Sequence, residues 1–134
     1  MTRTHITNHN LYIQCTSIFP VQHELKTLLF LQNYYQTKIE YLDPSPHQGD
    51  KTPDIIMFSL PWEIKSPHGK GKHTLEHCIK AASRQCENII IDLRRMTGSY
   101  RQYIGKIQRE FVHNRRLKRL KVITKAQKVL DFTK

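Results

Sequence analysis

The run Asn88-Ile89-Ile90-Ile91-Asp92-Leu93 restricts this chain more than any other stretch. Successive side chains of a strand point to opposite faces, so three consecutive isoleucines leave neither face suited to water; the strand belongs inside a sheet covered on both sides. The flanking sequence supplies that cover. Between Thr74 and Cys86, the positions Leu75, Cys78, Ile79, Ala82 and Cys86 form one stripe at helical spacing, and between Ser99 and Asn114 a second stripe runs through Tyr100, Tyr103, Ile104, Ile107 and Phe111. An earlier helix spans Val21 to Tyr35, with Pro20 suited to its first turn and Val21, Leu25, Leu28, Leu29 and Gln32 on its inner side. Lys38 to Leu42 reads as a strand. Leu120 to Thr124 and Lys128 to Phe132 read as a closing hairpin, with Val129 and Leu130 contributing to the core.

Two further hydrophobic runs, Ile55 to Phe58 and Leu60 to Ile64, are separated by Ser59 and punctuated by Pro53, Pro61 and Pro67. They read as adjacent strands joined by a tight connection. A length of 134 residues leaves room for one core. The expected organisation is a polar segment over residues 1–20, in which Leu11 to Ile13 can add a short edge strand, followed by one domain over residues 21–134. The order is helix, three strands, helix, strand, helix, hairpin. It predicts an α/β (α+β mixed) fold, a small mixed sheet flanked by helices.

Within the second of the central strands, alternation sends Trp62 and Ile64 one way and Glu63 and Lys65 the other, and Asp54 at the start of the preceding strand can reach the same place. Two carboxylates and a lysine suit a hard divalent cation such as Mg²⁺ or Mn²⁺, with Asp54 and Glu63 as ligands and the ammonium beside it. The plainer reading makes Glu63 and Lys65 an exposed ion pair on a solvated face. Glu24 borders the buried side of the first helix, where it either forms a rim salt bridge or completes a metal shell. Gln85, at the end of the second helix, either steadies a substrate oxygen or faces solvent.

Charge narrows the partners. The chain carries 22 Lys and Arg against 11 Asp and Glu, a formal net charge of +11, which attracts polyanions. Nucleic acid comes first and an acidic protein second. A membrane surface comes third: no run is long enough to span a bilayer, no basic apolar helix stands out, and the start lacks a secretion-signal pattern. Candidate backbone contacts are Lys51 beside the breaker-rich loop 43–50, Lys70 and Lys72 in the glycine-containing connection 66–73, Arg94 and Arg95 after the isoleucine strand, and Arg101, Arg109, Arg115 and Arg116 on and beyond the third helix. Ordinary solvation accounts for the same residues. The connection 66–73 does not match a nucleotide-triphosphate loop. Cys15, Cys78 and Cys86 have no metal or disulfide spacing and read as free thiols, the last two as small buried helix residues. With no DNA-reading motif in evidence, the basic stretch from Arg101 to Lys121 favours folded RNA over duplex DNA.

Pro53-Asp54 followed by Glu63-Ile64-Lys65, between a helix containing Glu24 and a helix ending at Gln85, resembles the PD-(D/E)xK nuclease superfamily. The segments His23-Glu24-Leu25-Lys26, Lys51-Thr52-Pro53-Asp54-Ile55, the run from Trp62 to Lys70, and the run from Asn88 to Arg95 are also similar to the C-terminal toxin domains of CdiA-type contact-dependent inhibition proteins and to related modules carried by phage head proteins. That resemblance implies an endonuclease cutting structured RNA, tRNA first, in the cytoplasm of a target or host cell, and neutralised by a cognate acidic immunity protein. The initiating methionine and short polar start differ from a large exported carrier, which leaves an excised domain or a free-standing protein. Other toxins of this group use barnase, EndoU, colicin and RelE folds that need no metal. Under that alternative the 2′-hydroxyl attacks, and His23, His68 or His73 with Lys65 and Arg94 supply acid, base and cation. A metal-dependent DNase on the same residues and a non-catalytic RNA-binding protein are the remaining readings.

Overall fold

The computed structural model describes residues 4–8, 11–15, 22–42, 52–69 and 73–134, the first two stretches by backbone alone. The chain divides into two units, Met1–Trp62 and Glu63–Lys134.

In the first unit, β1 (Thr4–Asn8) pairs antiparallel with β2 (Leu11–Cys15), and β2 pairs parallel with β3 (Ile39–Tyr41). The parallel pair requires a crossover, and α1 (Gln22–Tyr35) provides it. β3 pairs antiparallel with β4 (Ile55–Met57), which turns back into β5 (Leu60–Lys65) with Ile55 opposite Trp62 and Met57 opposite Leu60. Leu28, Leu31, Ile39, Ile55, Met57 and Trp62 form its buried apolar set. The indole of Trp62 donates to the Met57 carbonyl at 3.0 Å, so the ring is buried without an orphaned N–H.

In the second unit, residues 63–65 of β5 run parallel to β6 (Asn88–Asp92), and β6 runs parallel to β7 (Arg119–Ile123), which turns into antiparallel β8 (Val129–Thr133). The two parallel steps are bridged by α2 (Thr74–Gln85) and α3 (Tyr100–His113). All five residues of β6 are buried, as the isoleucine run requires. Ile89 and Ile91 join Leu75, Ile79, Ile107, Phe111 and others in one cluster; Ile90 alternates to the other face and is equally inaccessible. Ser99 caps α3 by accepting the Gln102 N–H. The mixed α+β architecture is thus the expected one, and both helices of this unit begin and end within a residue or two of their sequence limits.

Several expectations are corrected. The first fifteen residues contribute two paired strands, and β2 has a neighbour on each side, so it is not an edge; β1, with Ile6 its one apolar residue, is too polar to show a period by itself. Residue 21 lies outside the described set, and the buried side of α1 is Thr27, Leu28, Leu31 and Gln32, with Leu25 and Leu29 only half-buried. Among the described residues the fully buried Gln32 amide finds no hydrogen-bond partner. Phe58 is not in a strand: with Ser59 it forms the two-residue turn between β4 and β5. Leu130 is exposed, whereas Phe132 packs against the cluster beside Phe111. Cys78 and Cys86 are half-buried, and neither is in a disulfide. Among the described residues no helix is long and apolar enough to cross a membrane.

Candidate functional site

Asp54 precedes β4. Its N–H donates to the Trp62 carbonyl at 3.0 Å and its own carbonyl accepts from Leu42 at 2.9 Å, so its backbone is fixed on both sides at the point where the β4–β5 ladder ends. Trp62 is the residue immediately before Glu63 in the chain. The β4–β5 turn is two residues long, with φ of +54° at Phe58 and +62° at Ser59, the geometry that suits the twist of a tight hairpin. Glu24 sits in the first turn of α1, where Tyr41 donates its hydroxyl to Oε2 at 3.2 Å.

In the second unit, Glu63 is only 8% exposed, which removes the plain reading of a solvated carboxylate. Lys65, two residues on and therefore on the same face of β5, places Nζ 3.9 Å from Glu63 Oε2. A carboxylate so shielded keeps its charge only with compensating partners. Both charges are felt along α2. Burial pushes the Cys78 thiol up, an effect that the Lys65 ammonium opposes. Burial also pushes the Cys86 thiol up; a backbone N–H bond at Asn88 opposes this and the negative Glu63 adds to it. Ser66 follows, its hydroxyl buried and without a partner among the described residues. Gln85 is exposed at the end of α2.

The two arginines after β6 are not loose anion receptors. Arg94 is clasped by Asp92, with Nε 2.9 Å from Oδ1, Nη2 2.8 Å from Oδ2, and its backbone N–H also on Oδ1. Such a bidentate pair offsets the arginine charge. Arg95 donates to the Ser66 carbonyl at 3.0 Å, tying the end of β6 to the end of β5, although it remains exposed. Arg101 and Arg109 are exposed on α3, and Arg115 and Arg116 are exposed just past it. Lys51, Lys70 and Lys72 and the loop 43–50 lie outside the described residues. Of the alternative acid–base residues, His23 and His68 are exposed, and His73 is exposed at the N-cap of α2, 3.5 Å from Glu76.

Among the described residues no group of three or more His, Cys, Asp and Glu side chains forms a metal cage. A site with only one or two carboxylates suits Mg²⁺ or Mn²⁺, which complete their shells with water and substrate phosphate oxygens, better than zinc or calcium. Sequence reading overlooked Asp92, whose signal is an aspartate two residues before an arginine, and Ser66. It also overlooked Lys80, Arg84 and His113, whose grouping needs two helices to be packed together.

The family model for the contact-dependent growth inhibition CdiA C-terminal domain matches residues 51–129. The fold is similar to a solved structure described as a CdiA-CT/CdiI toxin and immunity complex from Burkholderia pseudomallei, with a TM-score of 0.64 over 92% of this chain and 98% of that one, at 15% identity. No curated protein matches the chain in sequence.

Proposed function

The chain belongs to the contact-dependent growth inhibition CdiA C-terminal domain family, and on that premise we propose that it is a toxin endonuclease hydrolysing phosphodiester bonds of structured RNA, tRNA first, with a divalent cation. The observation that carries this reading is the Glu63–Lys65 pair, a carboxylate 8% exposed with an ammonium 3.9 Å away on one face of β5. It is the charged half of a PD-(D/E)xK signature, and Pro53-Asp54 supplies the other half.

In this reading Asp54 and Glu63 hold Mg²⁺ or Mn²⁺, which would lower the pKa of an attacking water and shield a phosphate oxygen. Lys65 orients the nucleophile or offsets charge that builds on the phosphate. Glu24, already steadied by Tyr41, completes the shell directly or through water, and the exposed Gln85 steadies the substrate. Arg95, Arg101, Arg109, Arg115 and Arg116 meet the nucleic-acid backbone, with Lys51, Lys70 and Lys72. Arg94 acts through Asp92, holding the exit of β6. A net charge of +11 favours RNA and also an acidic protein partner, here a cognate immunity protein; the complex to which this fold is similar contains an immunity protein. The toxin acts in the cytoplasm of a target or host cell.

The test is cleavage of total tRNA, ribosomal RNA and linear duplex DNA at matched phosphate concentration, in EDTA and after restoring Mg²⁺ or Mn²⁺. The expected result is RNA cutting that EDTA stops and either metal restores. Cutting indifferent to EDTA points to the metal-free mechanism. Faster cutting of duplex DNA than of every RNA makes the same residues a DNase site.

A further inference from the structure

The last turns of α2 and α3 flank a cavity of about 550 Å³ whose walls carry Lys80, Arg84, His113, Arg115 and Arg116, with one carboxylate, Glu110, among them. These are the residues a basic face would scatter around two separate helices. Packing α2 beside α3 turns them inward on a shared groove. Lys80 is partly committed to Glu76 at 3.1 Å. Among the described residues, Arg84, Arg115 and Arg116 meet no carboxylate within ion-pair distance. The His113 ring is held by the Arg109 carbonyl at 2.8 Å, and the chain leaving α3 is set by the Asn114 side chain accepting the Arg116 N–H at 3.0 Å. Arg84 and His113 also suit the negative ends of their helices, but Arg115 and Arg116 lie beyond α3, where that explanation stops.

We propose that this groove grips the phosphate backbone of structured RNA as a docking surface on the second unit. The proposal rests on the reading of the chain as an enzyme acting on RNA. A concave row of guanidinium groups matches phosphates bidentately and carries no sequence information, which suits recognition by shape. A protein partner would need an apolar centre, and no apolar side chain lines the groove.

The test uses the full chain carrying Glu63→Gln, fluorescently labelled mixed tRNA, and affinities measured by anisotropy across a salt series. Arg84→Glu/Arg115→Glu is compared with Lys125→Glu/Lys128→Glu, which changes net charge equally in the exposed turn between β7 and β8. Far-ultraviolet dichroism checks that both remain folded. The groove pair should weaken binding about tenfold more than the turn pair and flatten the plot of log affinity against log salt by about two. Glu110→Gln should tighten binding. Equal losses in the two pairs, or no salt-dependent binding by the starting protein, overturns the proposal. Unchanged RNA affinity with weakened binding of an acidic partner protein overturns it in favour of a protein interface. Cleavage by the unsubstituted chain is read separately on a gel. Binding without cutting refutes the nuclease reading and leaves the groove; cutting with equal affinities refutes the groove and leaves the nuclease.

Discussion

Glu63 and Trp62 are neighbours on β5 and both are buried, at 8% and 2% exposure, yet they are buried for opposite reasons. Trp62 fills space and satisfies its one donor on Met57. Trp62→Ala should therefore destabilise the protein by about 3–5 kcal/mol, seen as an earlier urea midpoint. Glu63 brings a charge into a shielded place, which stability alone does not favour. Glu63→Gln keeps its volume and should leave the melting temperature within a few degrees while abolishing cleavage. Full cleavage by the folded variant would remove Glu63 from the site. The thiols of Cys78 and Cys86 are both raised by burial, so less thiolate is present at a given pH. At pH 8 both should alkylate more slowly than a cysteine in a short peptide, read by mass spectrometry. The sign for stability follows: the unfolded chain loses these protons first, so their contribution is fully present below the ordinary thiol pKa and is lost as pH rises from there through the raised folded-state value.

At the scale of elements, the β4–β5 turn carries a local conflict. Phe58 and Ser59 both adopt left-handed backbone that ordinary side chains avoid, at about 1–2 kcal/mol per residue. The exposed Phe58 is partly compensated by its edge-to-face contact with Tyr35 at 5.0 Å. Ser59 is exposed in the same turn. Ser59→Gly should stabilise the protein by about 0.5–1 kcal/mol, the relief of strain less the extra freedom glycine has when unfolded. A urea midpoint that moves down would show that the Ser59 side chain matters more than its backbone angle. The N-terminal end of α3 is fixed twice, by its Ser99 cap and by Tyr100, whose hydroxyl accepts the Lys125 N–H at 2.8 Å and donates to the Ile123 carbonyl.

For the whole molecule, a charge of +11 is too large to be local. It governs encounter more than residence, because long-range attraction accelerates association and is screened by salt. Association with the proposed acidic immunity protein should slow about tenfold or more between about 50 and 500 mM salt, with dissociation much less affected. Stopped-flow rates independent of salt would mean that the contact is not steered by charge.

Periodicity and composition were enough to locate β6, α2 and α3, to pair β4 with β5, and to put Glu63 and Lys65 on one strand and Asp54 at the entry to its neighbour, because these depend on short-range order along the chain. Alternation says which side of a strand a residue faces; it does not say what lies over that side. Only the tertiary structure decided that Glu63 is shielded, that Arg94 is taken up by Asp92, that Leu130 gives way to Phe132 in the core, that the polar stretch 4–8 becomes a strand, and that 11–15 is paired on both sides and is not an edge. Each depends on a neighbour distant in sequence or on the course of a turn. The same holds for the groove of Lys80, Arg84, Arg115 and Arg116, since its two walls come from helices whose packing no local pattern encodes.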